Sequence, residues 1–233
     1  YTADMPGEFV GGLLQIICKD FPEEREAKVT VTTGFNTITT LQDFKTFGTS
    51  ALGYLGFADS STRTLSNLVD KAGKKINTLS YTKDQINEFG REAGDTQWTP
   101  GTSKAFLPFG FNVTFGNTYD LGNQKKLGVS ASALFRETSN NVQSTFTNYT
   151  TDGSKTDDFV IKESTYTTAK SALLTLGFSP GAHDKFKYTS MASQLSTDSA
   201  KISAGYNDEY SAQSTQTILQ GVFNTTYVNQ LNG

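Results

Sequence analysis

Few side chains in this sequence are able to do covalent or metal chemistry. Cys18 is the single cysteine and His183 the single histidine. A disulfide framework, a thiolate zinc cluster and a site built from several histidines are therefore excluded. A Ser-His-Asp arrangement would have to form around His183, which lies in Ser179-Pro180-Gly181-Ala182-His183-Asp184, a stretch of turn composition. Cys18 sits in the apolar run Leu13–Lys19 and reads as a small buried hydrophobe. Glu23, Glu24 and Glu26 flank Arg25 and suit a solvated linker. Asp157-Asp158 and Asp208-Glu209 each offer two adjacent acids, against the six or more oxygens that calcium takes. Asn112-Val113-Thr114, Asn148-Tyr149-Thr150 and Asn224-Thr225-Thr226 match glycosylation acceptors, matches expected by chance in so Asn/Thr-rich a chain. The residues thus point to no catalytic group, no metal and no cofactor, and the chain is not expected to be an enzyme.

What remains is the patterning of apolar and polar side chains, and it is extensive. In Glu26–Thr37, Ala27, Val29, Val31, Thr33 and Phe35 alternate with Lys28, Thr30, Thr32, Gly34 and Asn36. Between Ala105 and Tyr119, Phe109, Phe111, Val113 and Phe115 alternate with Gly110, Asn112, Thr114 and Gly116. Leu127–Thr138 repeats the pattern, and so does Ser164–Ser179, with Tyr166, Ala172, Leu174, Leu176 and Phe178 in register. Lys185–Ser196 alternates more weakly; Ser214–Leu231 carries Leu219, Gly221, Phe223, Thr225 and Tyr227. Period two over such lengths predicts six β-strands with one apolar and one polar face.

Short turns are expected after the second and fourth strands, at 121–126 and at Pro180-Gly181. Long polar connections are expected after the first, third and fifth, at about 38–104, Ser139–Asp158 and Thr197–Ala212. Short turns on one rim and long loops on the other are the arrangement of outer-membrane barrels. Tyr119, Phe178, Phe186, Tyr188 and Tyr227 are expected near the short-turn rim, as an interfacial girdle. Several predicted strands exceed the five or six residues usual in a sandwich. The fold expected is therefore all-β, an antiparallel transmembrane β-barrel segment. Its lipid-facing residues are Val29, Val31, Phe111, Val113, Leu174, Leu176 and Phe223; its lumen-facing residues are Lys28, Thr30, Thr32, Asn36, Asn112 and Thr114. Six strands are fewer than the eight or so of the smallest spanning barrels, so further strands are expected to complete the wall. In the long first loop, Thr82-Lys83-Asp84-Gln85 forms a capping-box pattern ahead of Ile86, Phe89 and Ala93, predicting a short helix. Phe44, Phe47, Tyr54, Phe57 and Trp98 are expected to pack that loop as a lid. A formal charge of −3 with scattered Lys and Arg gives no nucleic-acid footprint, and no apolar run is long enough for a membrane helix. A secreted or surface-bound β-rich adhesin is the alternative from another functional class.

The first residues add a resemblance. Met5-Pro6-Gly7-Glu8-Phe9-Val10-Gly11-Gly12, the apolar strand Leu13–Lys19 and the exit Asp20-Phe21-Pro22 resemble the junction of plug and barrel in TonB-dependent receptors of the bacterial outer membrane. Cys18 departs from the small polar residue usual there. Tyr54-Leu55-Gly56-Phe57-Ala58-Asp59, Trp98-Thr99-Pro100 and Gly205-Tyr206-Asn207-Asp208 resemble members from Bacteroidetes-type bacteria. The resemblance implies residues 1–20 as the C-terminal end of a plug domain and 21–233 as the first six strands of a 22-stranded barrel. It implies energised uptake of an iron chelate, cobalamin, glycan or peptide across the outer membrane of a Gram-negative cell. The implied partners are outer-membrane lipid, the rest of the barrel and plug, the TonB complex through a segment absent here, and a surface lipoprotein or larger membrane complex.

Overall fold

The computed structural model describes residues 21–22, 24–47, 51–57, 81–94, 99–181 and 183–233, apart from the side chains of 51–52 and 92–94. The expected plug end at 1–20, together with Cys18, Glu23 and Trp98, lies outside these residues. The chain is mostly antiparallel β-sheet. Its strands are β1 (Glu26–Thr33), β2 (Asp43–Thr46), β3 (Gly101–Lys104), β4 (Phe109–Gly122), β5 (Lys125–Tyr149), β6 (Lys155–Ser179), β7 (Phe186–Asn207) and β8 (Ala212–Asn232). Among the described residues two helices, α1 (Ala51–Tyr54) and α2 (Lys83–Gly94), lie between β2 and β3 in sequence.

One sheet contains six strands in the order β1-β4-β5-β6-β7-β8, and β2 and β3 form a separate ribbon. All pairings in both sheets are antiparallel, as sequential hairpins dictate. β1 and β8 each pair on one side only, so among the described residues the large sheet is open.

The turns follow local chemistry. Between β4 and β5, Asn123 and Gln124 both have positive φ (51° and 61°), the two-residue geometry whose twist matches flanking strands. Asp120 Oδ1 accepts from the Gly122 amide at 2.9 Å and fixes the approach. Between β5 and β6 the predicted Asp152-Gly153 turn forms, with Gly153 at φ 86°. Asp152 Oδ1 accepts there from Thr150 Oγ1 and from the Ser154 amide. In the first loop the capping box is realised: Gln85 Oε1 accepts from the Thr82 amide at 2.9 Å, and Thr82 Oγ1 from the Gln85 amide at 3.3 Å.

Two expectations about connections are corrected. The stretches Ser139–Asp158 and Thr197–Ala212 are not loops; most of each belongs to strands, and the turns at 150–154 and 208–211 are as short as those at the other rim. β5 and β6 run for 25 residues each, β7 for 22 and β8 for 21. At about 3.4 Å per residue, 25 residues reach about 85 Å. The outer half of β5 loses apolar alternation because it is Thr-, Ser- and Asn-rich on both faces, and those of β6 and β7 because charged residues such as Lys162, Glu163, Asp198 and Lys201 interrupt it. Backbone ladders hold such a strand without an apolar face, and Thr tolerates the extended backbone well. Only the first connection is long, and its β2–β3 ribbon was not foreseen.

Gly205, in the outer half of β7, lies where a Cβ would meet the Asp158 carbonyl oxygen at 2.0 Å and Phe159 Cα at 2.7 Å. Only a residue without a side chain lets β6 and β7 pair there. We expect Gly205→Ala to loosen the outer part of that pairing by about 1–3 kcal/mol. Amide exchange is expected to quicken at 157–161 and 203–207 while 126–135 keep wild-type protection. Unchanged exchange at 157–161 would refute this account of the glycine.

Candidate functional site

The ladder register sorts side chains onto two faces. One face carries, row by row from the short turns, Tyr119–Leu127–Phe178–Phe186, then Val129–Leu176–Tyr188–Leu231, then Ala27–Phe115–Ala131–Leu174. Above them come Val29–Val113–Ala133–Ala172–Ala192–Tyr227, and then Val31–Phe111–Phe135 ending on Lys170. The apolar run on β5, Leu127–Phe135, matches the nine to eleven residues of about one membrane crossing by a tilted strand. Its outer limit steps along the sheet: Phe109 on β4, Phe135 on β5 and Ala172 on β6, each a row nearer the short turns. Strands tilted against a level apolar layer produce such a staircase.

Among the described residues only Phe57 of the first loop reaches this band, at its outer limit, where it shares a pocket with Ala172, Ala192 and Tyr227. The only described apolar core cluster is Phe44, Ala105 and Tyr166 with Tyr54 beside it, well away from the band. Val29 is 70% exposed and Tyr227 and Leu231 are each 75% exposed. Five of the expected lipid-facing residues, Val29, Val31, Phe111, Val113 and Leu174, are exposed, and Leu176 is half-buried. Phe223 shares the face and pairs with Ser196, in the row that holds Phe109 on β4. Tyr227 pairs with Ala192 in mid-band, not at the short-turn rim with Tyr119, Phe178, Phe186 and Tyr188.

The opposite face holds Lys28, Thr30, Thr32, Asn112 and Thr114 together, as expected: Lys28 faces Thr114 and Thr30 faces Asn112. Thr114 Oγ1 donates to Asn112 Oδ1 at 3.1 Å. Asn36 is the exception. β1 ends at Thr33, and Asn36 sits in a turn where its Oδ1 accepts from the Ile38 amide at 2.9 Å. This polar face also carries Leu173, Met191 and Val228 in one row, which alternation read strand by strand did not single out. The segment leading into β1 crosses it near the short turns. Thr118 Oγ1 donates to the Pro22 carbonyl at 2.8 Å, and a Cβ on Gly116 would meet Pro22 Cγ at 3.2 Å.

The first loop instead lies on the apolar band's side of the sheet, beyond the band. The edge of β2 is satisfied by strand side chains: the Lys45 amide donates to Ser164 Oγ at 3.1 Å and Asn141 Nδ2 to the Asp43 carbonyl at 3.0 Å. Gly56, at φ 74°, comes so close that a Cβ would meet Thr168 Cβ at 2.8 Å. The Lys170 ammonium, which makes no hydrogen bond, lies 3.2 Å over the Phe57 ring. Tyr54 meets Tyr166 edge-on, and the Tyr166 hydroxyl lies 2.7 Å from both the Tyr54 carbonyl and Glu137 Oε2. Two acceptors thus share one proton. Phe44, Tyr54 and Phe57 act as expected, in holding the lid. No hydroxyl signal in the sequence singled out Thr168, Ser196 and Ser164 beneath it, since their burial needs contacts more than a hundred residues away.

No group of three or more His, Cys, Asp or Glu that would hold a metal occurs among the described residues. Asp157 is engaged by Asn148 Nδ2 at 2.9 Å, and Asp158 by Lys155 at 2.9 Å. No described helix is long and apolar enough to cross a membrane. Set against protein-family models, curated proteins and solved structures, the chain finds no match.

Burial, together with the hydrogen bond to Glu137, raises the Tyr166 phenol above its ordinary value. A raised pKa means that the contact stabilises fully below about pH 10, where a free phenol ionises, and is lost only as pH rises through the higher folded value. Ultraviolet titration is expected to show one tyrosine ionising after the rest, and Tyr166→Phe to remove it. The same variant leaves Glu137 without its donor, a loss of about 1–3 kcal/mol. It is expected to release the lid to limited proteolysis within 54–57.

Proposed function

We propose that this chain is a wall segment of an outer-membrane β-barrel of the TonB-dependent receptor type, serving energised uptake of a scarce nutrient. One observation carries the membrane part of this reading: the continuous apolar band, most of which no described part of the chain covers. In water such a face would be an aggregation liability; against acyl chains it is at its lowest free energy. The aromatic row Tyr119–Phe178–Phe186 at its lower limit suits a headgroup interface, where rings meet both water and hydrocarbon.

The open edges support closure with further strands. Roughly half of the backbone groups of β1 and of β8 point away from the sheet. Left unpaired in hydrocarbon, each costs several kcal/mol. Pairing with neighbouring strands removes that cost, and a closed wall makes the Lys28–Thr30–Thr114 face a lumen lining.

The receptor part rests on the resemblance at Gly7-Glu8-Phe9-Val10-Gly11-Gly12 and on the placement of Pro22. A plug end that reaches β1 from inside the wall would cross the polar face near the short turns, as Pro22 does against Thr118. Polar contacts between such a plug and Thr30 or Asn112 exchange readily with water, so plug displacement opens a path without breaking an apolar seal. A disulfide engineered between a plug cysteine and Thr30→Cys is expected to block uptake until reduced.

The membrane assignment is tested by charge placement. Val113→Arg is expected to lower folding stability in lipid vesicles by about 2–4 kcal/mol, and Thr114→Arg, on the other face, to change it little. The readout is the urea midpoint of the vesicle-inserted protein. Equal tolerance of both substitutions, or a compact monomer in buffer without lipid, would overturn the reading in favour of a surface-bound β-rich module.

A further inference from the structure

A wide cleft lies outside the band, between the β2–β3 ribbon and the outer halves of β5, β6 and β7. It encloses about 1110 Å³. Its floor is aliphatic: Val160, Ile202 and Ala204 lie on neighbouring strands of one face, and Ile38 faces them from the loop. That volume suits a small organic ligand, and the floor suits a branched or linear aliphatic body.

The charged groups around it are not equivalent. Asp43 is held by Lys104 at 2.7 Å, whose hydrogen bond and charge keep its carboxyl below the usual carboxylate range. Lys45 Nζ donates to Thr102 Oγ1 at 2.8 Å, and its charge also acts weakly on Asp43, whose closer partner is Lys104. Lys162 stands between Gln143 and Ile202 in the ladder, beside the aliphatic floor. Two ammonium groups thus border the cleft, with Asp43 already paired to Lys104; Glu163 also lines it, from a strand position that alternation assigns to the opposite face of the sheet. An anionic head over an aliphatic body is the complement.

We propose that this cleft binds an aliphatic carboxylate, its carboxyl group held by Lys162 and Lys45 and its body lying on Val160, Ile202 and Ala204. The same chemistry is offered by the C-terminal end of a short apolar peptide and by a free short-chain fatty acid. The proposal does not rest on the membrane reading, since the cleft lies beyond the band.

The test uses the intact protein, labelled at isoleucine methyls, in lipid nanodiscs or, should it prove soluble, in plain buffer. The probes are trivaline, its C-terminal amide, and octanoate. Saturable shifts are expected at Ile38 and Ile202, while Ile161 and Ile218, whose side chains lie on the opposite face, stay in place. Lys162→Gln is expected to weaken the acid about tenfold, the effect of one charge-assisted hydrogen bond, and to leave the amide unaffected. Saturation by trivaline alone identifies the peptide source and by octanoate alone the acyl source. Absence of saturable shifts with either acid, equal binding of trivaline and its amide, or an unchanged affinity in Lys162→Gln would each overturn the proposal.

Discussion

The uninterrupted antiparallel ladder from β4 to β8 is the constraint on which the rest of this molecule depends. Its hydrogen bonds run sideways, so each strand is satisfied only by its neighbours, and the sheet has no natural stopping point at β1 or β8. That property lets strands of 21 to 25 residues stand without a core. It also makes the open margins the least tolerable feature of the sheet.

Within that ladder, alternation decides where each side chain points, and the solvent on each side decides what it must be. Along the band, one face is mainly Val, Phe, Leu and Ala and the other mainly Thr, Asn, Ser and Gly, apart from the Leu173–Met191–Val228 row. Past Lys170 the difference fades, and the same face there meets the first loop through Phe44, Tyr54 and Tyr166. The two segments that touch the sheet from outside do so on opposite faces and at opposite ends. Pro22 lies on the polar face near the short turns, and the first loop lies on the other face beyond the band. Among the described residues neither crosses the band.

The first loop is held by polar and aromatic contacts more than by bulk apolar packing. Ser164 and Asn141 substitute for a neighbouring strand along the β2 edge, Tyr166 shares its proton between loop and wall, and Lys170 lies against the Phe57 face. These contacts stand the β2–β3 ribbon off the sheet and open a cleft there. A short ribbon with satisfied edges is rigid enough to hold such a space.

Much of the wall was legible in the sequence because period-two alternation is local. Val29 against Lys28, or Phe111 against Asn112, needs no knowledge of a partner strand, and the Thr82–Gln85 cap and the Asp152-Gly153 turn are equally local. Where polar and charged residues erase the alternation, as in Ser139–Asp158 and Thr197–Ala212, strand looked like loop. There the ladder is decided by pairing across the sheet, which one strand's residues do not encode. The same limit explains Asn36 and Tyr227: each alternates correctly, but strand ends and register, properties of pairs, set the row in which it lies. Burial of Thr168 and Ser196 beneath Gly56, and the cleft beside Lys162, come from contacts between distant segments. Tertiary structure alone decided those, because a loop's resting place is chosen by the surface it meets.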